Sequence, residues 1–474
     1  MAGTTLSIAA VFLATTVYGY CISVPQAELL PEVALIVQGA EIEKDQVTLN
    51  GYAATFGIDA PVGIDFVALG EQRFGHLRQR ALNALHERNY AMLEEAVPDV
   101  LPRDDRRRLA PPMRAEISPR LSFACVDLNN HECIADVVAE RLVWQEQFER
   151  NAVLSARYEY VMQLPYWHTS MYAVSDPAPP LGYLLQMSQL RLAQAVVLMN
   201  DDQVGEAIDL ISREIAFYRK MRSGRGDLLN HTVAVRGLFT AYHTLEQLLE
   251  AENMYAYLGD ERLVALMQPL SLEEQRIMAE VLKAERNRML YMLYTIPSTM
   301  GASERLFYDQ NDTCNLAYRR YEPMIAHGAM TMAEASQHYL SGLAGNNTIT
   351  KADKEEAGYW ACVLQQKDHF LANWIGSVLG CTVPIDYKKY LYRDYHLQVY
   401  MALVRLKYEL ARHDIPFENI SDFLSQENEF ARNPYTQAFF EWDSQHQLLS
   451  TPWIHRRASF AQRGTHMSVR VNRK

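Results

Sequence analysis

Between residues 134 and 292, apolar side chains return mostly at steps of three and four, which commits this stretch to amphipathic helices packed on one another. Val138, Leu142, Phe148, Ala152, Ala156, Tyr160 and Leu164 mark the first helix, over 134–164, which Pro165 ends. Helices over 181–199 and 203–221 follow, joined by Asn200, Asp201 and Asp202. Ala193 and Ala207 are small enough for this pair to close as a hairpin. The pattern continues over 228–249, 260–267 and 271–292. In the last of these, Ser271 and Glu274 have the spacing of a capping box. Beyond it, 331–343, 351–379 (ended by Gly380), 393–413 and 419–424 read as helical, and 438–449 reads as a small hairpin. No 34-residue repeat signature recurs. The expected fold is therefore mainly α: an irregular, solenoid-like array of helical hairpins with a small C-terminal β turn-back.

The first 120 residues differ. Residues 6–24, LSIAAVFLATTVYGYCISV, form an uncharged apolar stretch that comes close to spanning a bilayer as a helix, with Pro25 ending it. It reads either as an anchor, which is favoured, or as a cleaved signal peptide. Either places the body outside the cytoplasm. Residues 28–70 hold glycine-punctuated apolar runs that suggest turns or short strands, 71–95 carries helical spacing, and 98–119 contains five prolines and reads as loop. The resulting division is 1–27, 28–120, a helical body over 121–425, the turn-back over 426–454 and a basic tail over 455–474.

The chain carries a net charge of -12, and the six positive charges after Asp443 meet no acid, leaving -18 on the rest. An acidic body repels phosphate backbones, so nucleic-acid binding is not expected. The tail reads as a solvated terminus.

Six cysteines stand at 21, 125, 133, 314, 362 and 381. In an exported chain, Cys125 and Cys133 would bridge the polar loop CVDLNNHEC, an interaction of about 2.5 kcal/mol by loop entropy. Free thiols, or a metal held by Cys125, His131 and Cys133, are the alternatives, but the latter spacing matches no standard zinc pattern and lacks a fourth local ligand. Cys362 and Cys381 could pair with each other or with Cys314.

Segments 50–63 (NGYAATFGIDAPVG), 131–167, 185–221 and 402–424 followed by NPYTQAFFEWDSQHQLL (433–449) resemble uncharacterised exported or membrane-anchored helical proteins of proteobacteria. That resemblance implies a helical envelope protein and brings no catalytic residues with it.

No HExxH, GxSxG, Walker A loop or strand-linked GxGxxG is present, and His76 and His86 stand ten apart, off one helix face. Ser223-Gly-Arg-Gly226 reads as a helix end. Glu280, Glu285 and Arg286 read as a solvated helix face, while Tyr158, Tyr160, Tyr166, Trp167 and Tyr172 read as core packing. The charged, ring-rich run from Asp386 to His396 reads as a surface. No cofactor and no resident metal are expected. The favoured function is non-enzymatic binding of a protein or peptide partner in the envelope. The alternative is a hydrolase or lyase with an unfamiliar Asp, Glu or His site, which would show as a pocket holding two carboxylates or a His–carboxylate pair.

Overall fold

Asn50 shows how the amino-terminal segment joins the helical body. Its side chain caps the short helix Gly51–Thr55 by accepting the Tyr52 N–H at 3.1 Å, and its amide donates to the carbonyls of Gln46 and His168. The Gly51 N–H donates to the Tyr166 carbonyl at 2.8 Å. The structure, a computed structural model, describes residues 27–94, 123–168, 172, 176, 178–344, 373–382, 387–426, 429–452 and 466–471. Among these the chain is mainly α, an irregular array of helical hairpins with one small three-stranded antiparallel sheet. The apolar stretch 6–24 lies outside them; among the described residues no helix is long and apolar enough to cross a membrane.

The segment expected to hold turns or short strands is instead built of short helices, α1 (Pro31–Val37) and α2 (Gly51–Thr55), followed by α3 (Phe66–Glu87). Their apolar faces supply Val33, Tyr52 and Phe74 to the same core as the later helices. Asn-Gly marks a helix start here because Asn50 caps rather than turns. The single helix expected over 134–164 is three: α4 (Cys133–Ala139), α5 (Arg141–Arg150) and α6 (Ala152–Gln163). At the second joint the buried Asn151 side chain donates to the Gln147 carbonyl at 3.0 Å, a side-chain competitor for a helix-forming acceptor. Leu142, counted on the apolar stripe, is 80% exposed as a consequence of these breaks.

The hairpin expected near 181–221 is present as α7 (Leu181–Asn200) and α8 (Val204–Ser223). It packs on α9 (Leu228–Leu248), which is buried on nearly every face. Gly237 is what permits this, since a Cβ there would come within 2.4 Å of the Tyr218 ring on α8. The Ser271–Glu274 capping box forms as expected, ahead of α10 (Ile277–Thr295). α10 pairs closely with α11 (Gln310–Gly328), a helix that periodicity did not reveal because Pro323 lies inside it. Of the expected helix over 351–379, the described part is α12 (Trp374–Thr382); Gly380 falls inside it rather than at its end. α13 (Lys388–Arg412) then crosses α9.

The turn-back forms as β1 (Glu441–Asp443) and β2 (Leu448–Pro452), with Trp442 opposite Leu449. The basic tail is not merely solvated: His466–Arg470 is β3, antiparallel to β2 with Leu449 opposite Val469. Met467, Val469 and Val471 alternate inward and are buried, so the sheet shields its inner face on α13.

Two buried ion pairs hold α13. Arg222, at the end of α8, grips Asp394 in a fork, Nε to Oδ1 at 2.9 Å and Nη2 to Oδ2 at 2.8 Å. His231 Nε2 lies 3.2 Å from Asp394 Oδ1, and Gln398 donates to Oδ2 at 3.2 Å. Toward the other end, Lys407 pairs with Glu246 at 2.5 Å and Glu250 at 2.7 Å, both from α9 or its edge. The two clamps stand about 20 Å apart along the helix at about 1.5 Å per residue.

The cysteine expectation is met at Cys125–Cys133, bonded with a Cα separation of 5.0 Å. Cys381 is also disulfide-bonded, while Cys314 is a buried free thiol. The bridged loop is anchored to α9: the Asn130 carbonyl accepts from Gln247 Nε2 at 2.7 Å and lies 3.2 Å from His243 Nε2.

Two stability outcomes follow. Asp394→Asn should lower the unfolding free energy by about 3–5 kcal/mol, because Arg222 would remain charged and buried without its counter-ion. Urea denaturation would measure it, and a change below about 1 kcal/mol would contradict a clamp. The double substitution Cys125→Ser, Cys133→Ser should cost about 2.5 kcal/mol in the same assay; an unchanged midpoint would contradict a bridge that constrains the unfolded chain.

Candidate functional site

Gln398, Met401, Ala402 and Arg405 fall at steps of three and four on α13, between its two clamps, and form one wall of a cleft of about 160 Å³. The opposite wall is the turn from Leu266 to Leu270, with Met332 beside it. Gln275 joins these walls: its amide donates to the Leu270 carbonyl at 2.9 Å and its oxygen accepts the Met332 N–H at 3.0 Å. The rim is closed by Phe430, Arg432 and Pro434, the residues that lead into the sheet.

The cleft floor is apolar and rich in methionine, whose flexible thioethers adapt to differently shaped apolar groups. Among the described lining residues, Arg405 and Arg432 carry the charge. Arg405 stacks on Phe430 with its guanidinium carbon 4.3 Å from the ring centre, and Arg432 stacks on Phe439 at 3.9 Å. Arg432 donates Nη1 to the Gln437 carbonyl at 3.0 Å, and among the described residues it meets no carboxylate. Among the described residues no Asp, Glu or His lines the cleft.

Beneath the cleft, Gln398 connects to the Asp394 clamp. Burial alone would push the Asp394 carboxyl up, but the charges and hydrogen bonds of Arg222 and His231 reverse this and hold it well below the usual carboxylate range. Glu246 is alike: burial raises it, Lys407 and His243 lower it further, and the net value falls to about 2. His243 Nδ1 also lies 2.8 Å from the Tyr400 hydroxyl. Glu214, held by Arg191 at 2.8 Å and by the Tyr158 hydroxyl at 2.8 Å, shifts the other way, burial outweighing its partners.

A second, shallow depression is lined by Glu334 and His338 among others. Glu334 is engaged there, accepting the Thr331 N–H and hydroxyl and facing Arg276 at 3.5 Å. Nearby His327 is lowered to about 4 by burial and by the charges of His338 and Lys388.

The residues singled out in the sequence do not gather in one place. Cys125 and Cys133 form the bridge over α9, and His131 of that loop lies 3.4 Å from the Ser468 hydroxyl on β3. Among the described residues no group of three or more His, Cys, Asp or Glu is placed to hold a metal ion. Glu280 is solvated and paired with Lys283, but the same helix face is not solvated further on. Glu285 is buried, accepting the Leu228 N–H at 2.9 Å, and Arg286 is buried against Glu322. Burial pushes the Glu285 carboxyl up, against the pull of Arg288 and the Leu228 N–H. Tyr158, Trp167 and Tyr172 are core as expected, whereas Tyr160 and Tyr166 are 47% and 43% exposed. The Asp386–His396 run is not simply a surface: from Leu391 its side chains turn inward, and Asp394, Tyr395 and His396 are buried. Ser223 does end a helix, and Gly224 is required there because a Cβ would meet the Trp167 carbonyl oxygen at 1.9 Å. His76 and His86 lie along α3, away from the cleft lining.

The cleft itself escaped the sequence reading. Its trace was available at Asp394, a charge three residues before Leu397 on an amphipathic helix, where a charge must find a buried partner; Lys407, set by its spacing against the apolar face of Leu397, Tyr400, Met401, Val404 and Tyr408, is instead buried on Glu246 and Glu250. No family model, curated protein or solved structure matches the chain.

The Glu246 carboxyl sits below the ordinary value of 4.5 in the folded chain, so its stabilising effect is present above about pH 4.5 and is lost as pH falls toward 2. Glu246→Gln should therefore be less stable at neutral pH and lose less stability than the parent on acidification from about pH 6 to about pH 3. Urea midpoints across that range measure both; identical acid limbs would contradict the assignment.

Proposed function

We propose that this is a non-enzymatic protein of the cell envelope, held outside the cytoplasm by residues 6–24 or released after their cleavage, whose cleft on α13 binds a protein or peptide partner. The cleft lining carries this reading. General acid–base chemistry needs a titratable group within hydrogen-bond reach of the reacting atom. The lining instead offers an apolar floor, amides and two guanidiniums, a composition suited to holding a ligand. The runner-up, a hydrolase or lyase, would draw on Glu334 and His338, and Glu334 is already occupied in capping a helix.

The location is supported by the apolar stretch itself and by the bridged cysteines Cys125, Cys133 and Cys381, since disulfides persist in oxidising compartments. The resemblance to exported helical proteins of proteobacteria points the same way, with the body in the periplasm.

A photo-crosslinking side chain at Met401 in cells should yield a discrete adduct with one partner, while the same group at exposed Leu142 should not. Equal adducts at both positions, or none at Met401, would overturn the binding role. Fractionation should place the protein with the membrane or the periplasm; recovery with cytosolic proteins, with Cys125 and Cys133 reduced, would overturn the location.

A further inference from the structure

Resting on the anchored form of that reading, we infer that the body lies on the bilayer by one end, where Ala27, Trp374 and the α10–α11 connection meet, and holds the α13 cleft away from the lipid.

The point where the chain leaves the anchor comes first. Ala27, the first described residue, is pinned to the start of α11: its N–H donates to Asp309 Oδ2 at 3.0 Å and its carbonyl accepts from Asn311 at 2.8 Å. Three residues on, the Leu30 N–H donates to Asn315 at 2.9 Å. Only Pro25 and Gln26 separate Ala27 from the apolar stretch 6–24. At about 3.6 Å per residue, the three steps from Val24 to Ala27 span at most about 11 Å in any conformation. So short a tether, fixed to the body at its near end, brings that end to the headgroup region.

The same end carries side chains suited to that region. Asp309 donates its own N–H to Asn373 Oδ1 at 2.8 Å, and the next residue, Trp374, is 43% exposed. Tryptophan is enriched where membrane meets water, since its ring is apolar and its N–H polar. The Ile375 N–H donates to the Phe307 carbonyl at 3.1 Å, which lays this turn against the α10–α11 connection, residues 296–308. There Met300, Leu306 and Phe307 are half-buried, and Arg305 is exposed with a stem long enough to reach headgroup phosphates. Tyr90, beyond α3, joins the same connection by donating its N–H to Ser298 Oγ at 2.7 Å. Asp312 is occupied by Asn373 Nδ2 at 2.8 Å and Glu304 by the Gly301 N–H at 2.7 Å. Exposed Glu28 makes a zwitterionic surface a better partner than an anionic one.

The cleft stands at the other end of α10. Thr295 leads into the connection, whereas Gln275 and Met332, which join the cleft walls, lie just before α10 and just after α11. The 19 residues of α10, at about 1.5 Å each, set the two ends about 28 Å apart.

The test reads tryptophan quenching in the full chain reconstituted into phosphatidylcholine vesicles brominated near the headgroup end of the acyl chain, with vesicle flotation to show that the protein is bound. The emission of Trp374, taken as the difference between the parent and Trp374→Phe, should fall at least about twofold in brominated relative to plain vesicles. Met300→Trp should add emission that is quenched alike. Leu272→Trp, beside the cleft at a site 66% exposed, should add emission that is not. The two added rings report with Trp374 in place, so the outcome does not depend on how Trp374→Phe folds.

If the protein floats but neither Trp374 nor the Met300→Trp ring is quenched, or the Leu272→Trp ring is quenched as strongly, the docking of this end is overturned while anchoring by residues 6–24 stands. If the protein does not float, anchoring and docking fall together. Binding at the cleft is decided separately, by the Met401 crosslink.

Discussion

The fork between Arg222 and Asp394 is the contact on which the architecture turns. Both groups are almost wholly removed from solvent, and they come from helices far apart in the chain. An ion pair so placed contributes little net stability relative to a well-packed apolar pair, yet breaking it is expensive because one charge is stranded. Such a contact tolerates only one register of α13 against α8 and α9. The Lys407 clamp repeats the constraint farther along the helix. Between them α13 cannot rotate or slide, and the residues it turns toward Met332 and the Leu266–Leu270 turn are thereby determined.

The cleft is a consequence of that registration. Gln275 spans its walls by bonding to backbone on both sides, and the segment Phe430–Pro434 closes its rim before the chain enters the sheet. Asn433 supports this rim by accepting from the Tyr435 and Thr436 N–H groups and donating to Thr451 on β2. The third strand therefore matters to the cleft from a distance: β3 pairs with β2, and β2 holds Asn433. The disulfide loop joins in from the opposite side, linking α9 through Asn130 and β3 through His131 and Glu132, the latter 3.2 Å from Arg470.

Electrostatically the chain is divided. Acids predominate over the whole, and many are spent in ion pairs with neighbouring helices, while the charged residues of the described cleft lining are Arg405 and Arg432. Stacking on Phe430 and Phe439 orients both guanidiniums. A site that holds its donors in place before a ligand arrives loses little entropy on binding, the usual basis of selective recognition on a small surface.

Helical class, the α7–α8 hairpin, the Ser271–Glu274 cap, the small β turn-back and the Cys125–Cys133 bridge were all legible in residue order, because each depends on side chains within a few positions of one another. Local reasoning failed where a distant partner decided the outcome. Asn50 became a cap through His168 and Tyr166, and Glu285 went inward to meet the Leu228 N–H. The basic tail became a strand because Leu449 and its neighbours offered an edge. Asp394 announced buried charge by its place on an apolar stripe, Lys407 read as part of the opposite charged face, and nothing in their neighbourhood named Arg222 or Glu246. Spacing along one helix says which side chains share a face. Which other helix that face meets, and what cleft the meeting leaves, is set by long-range packing, since only the assembled chain brings residues 222 and 394 within hydrogen-bonding distance.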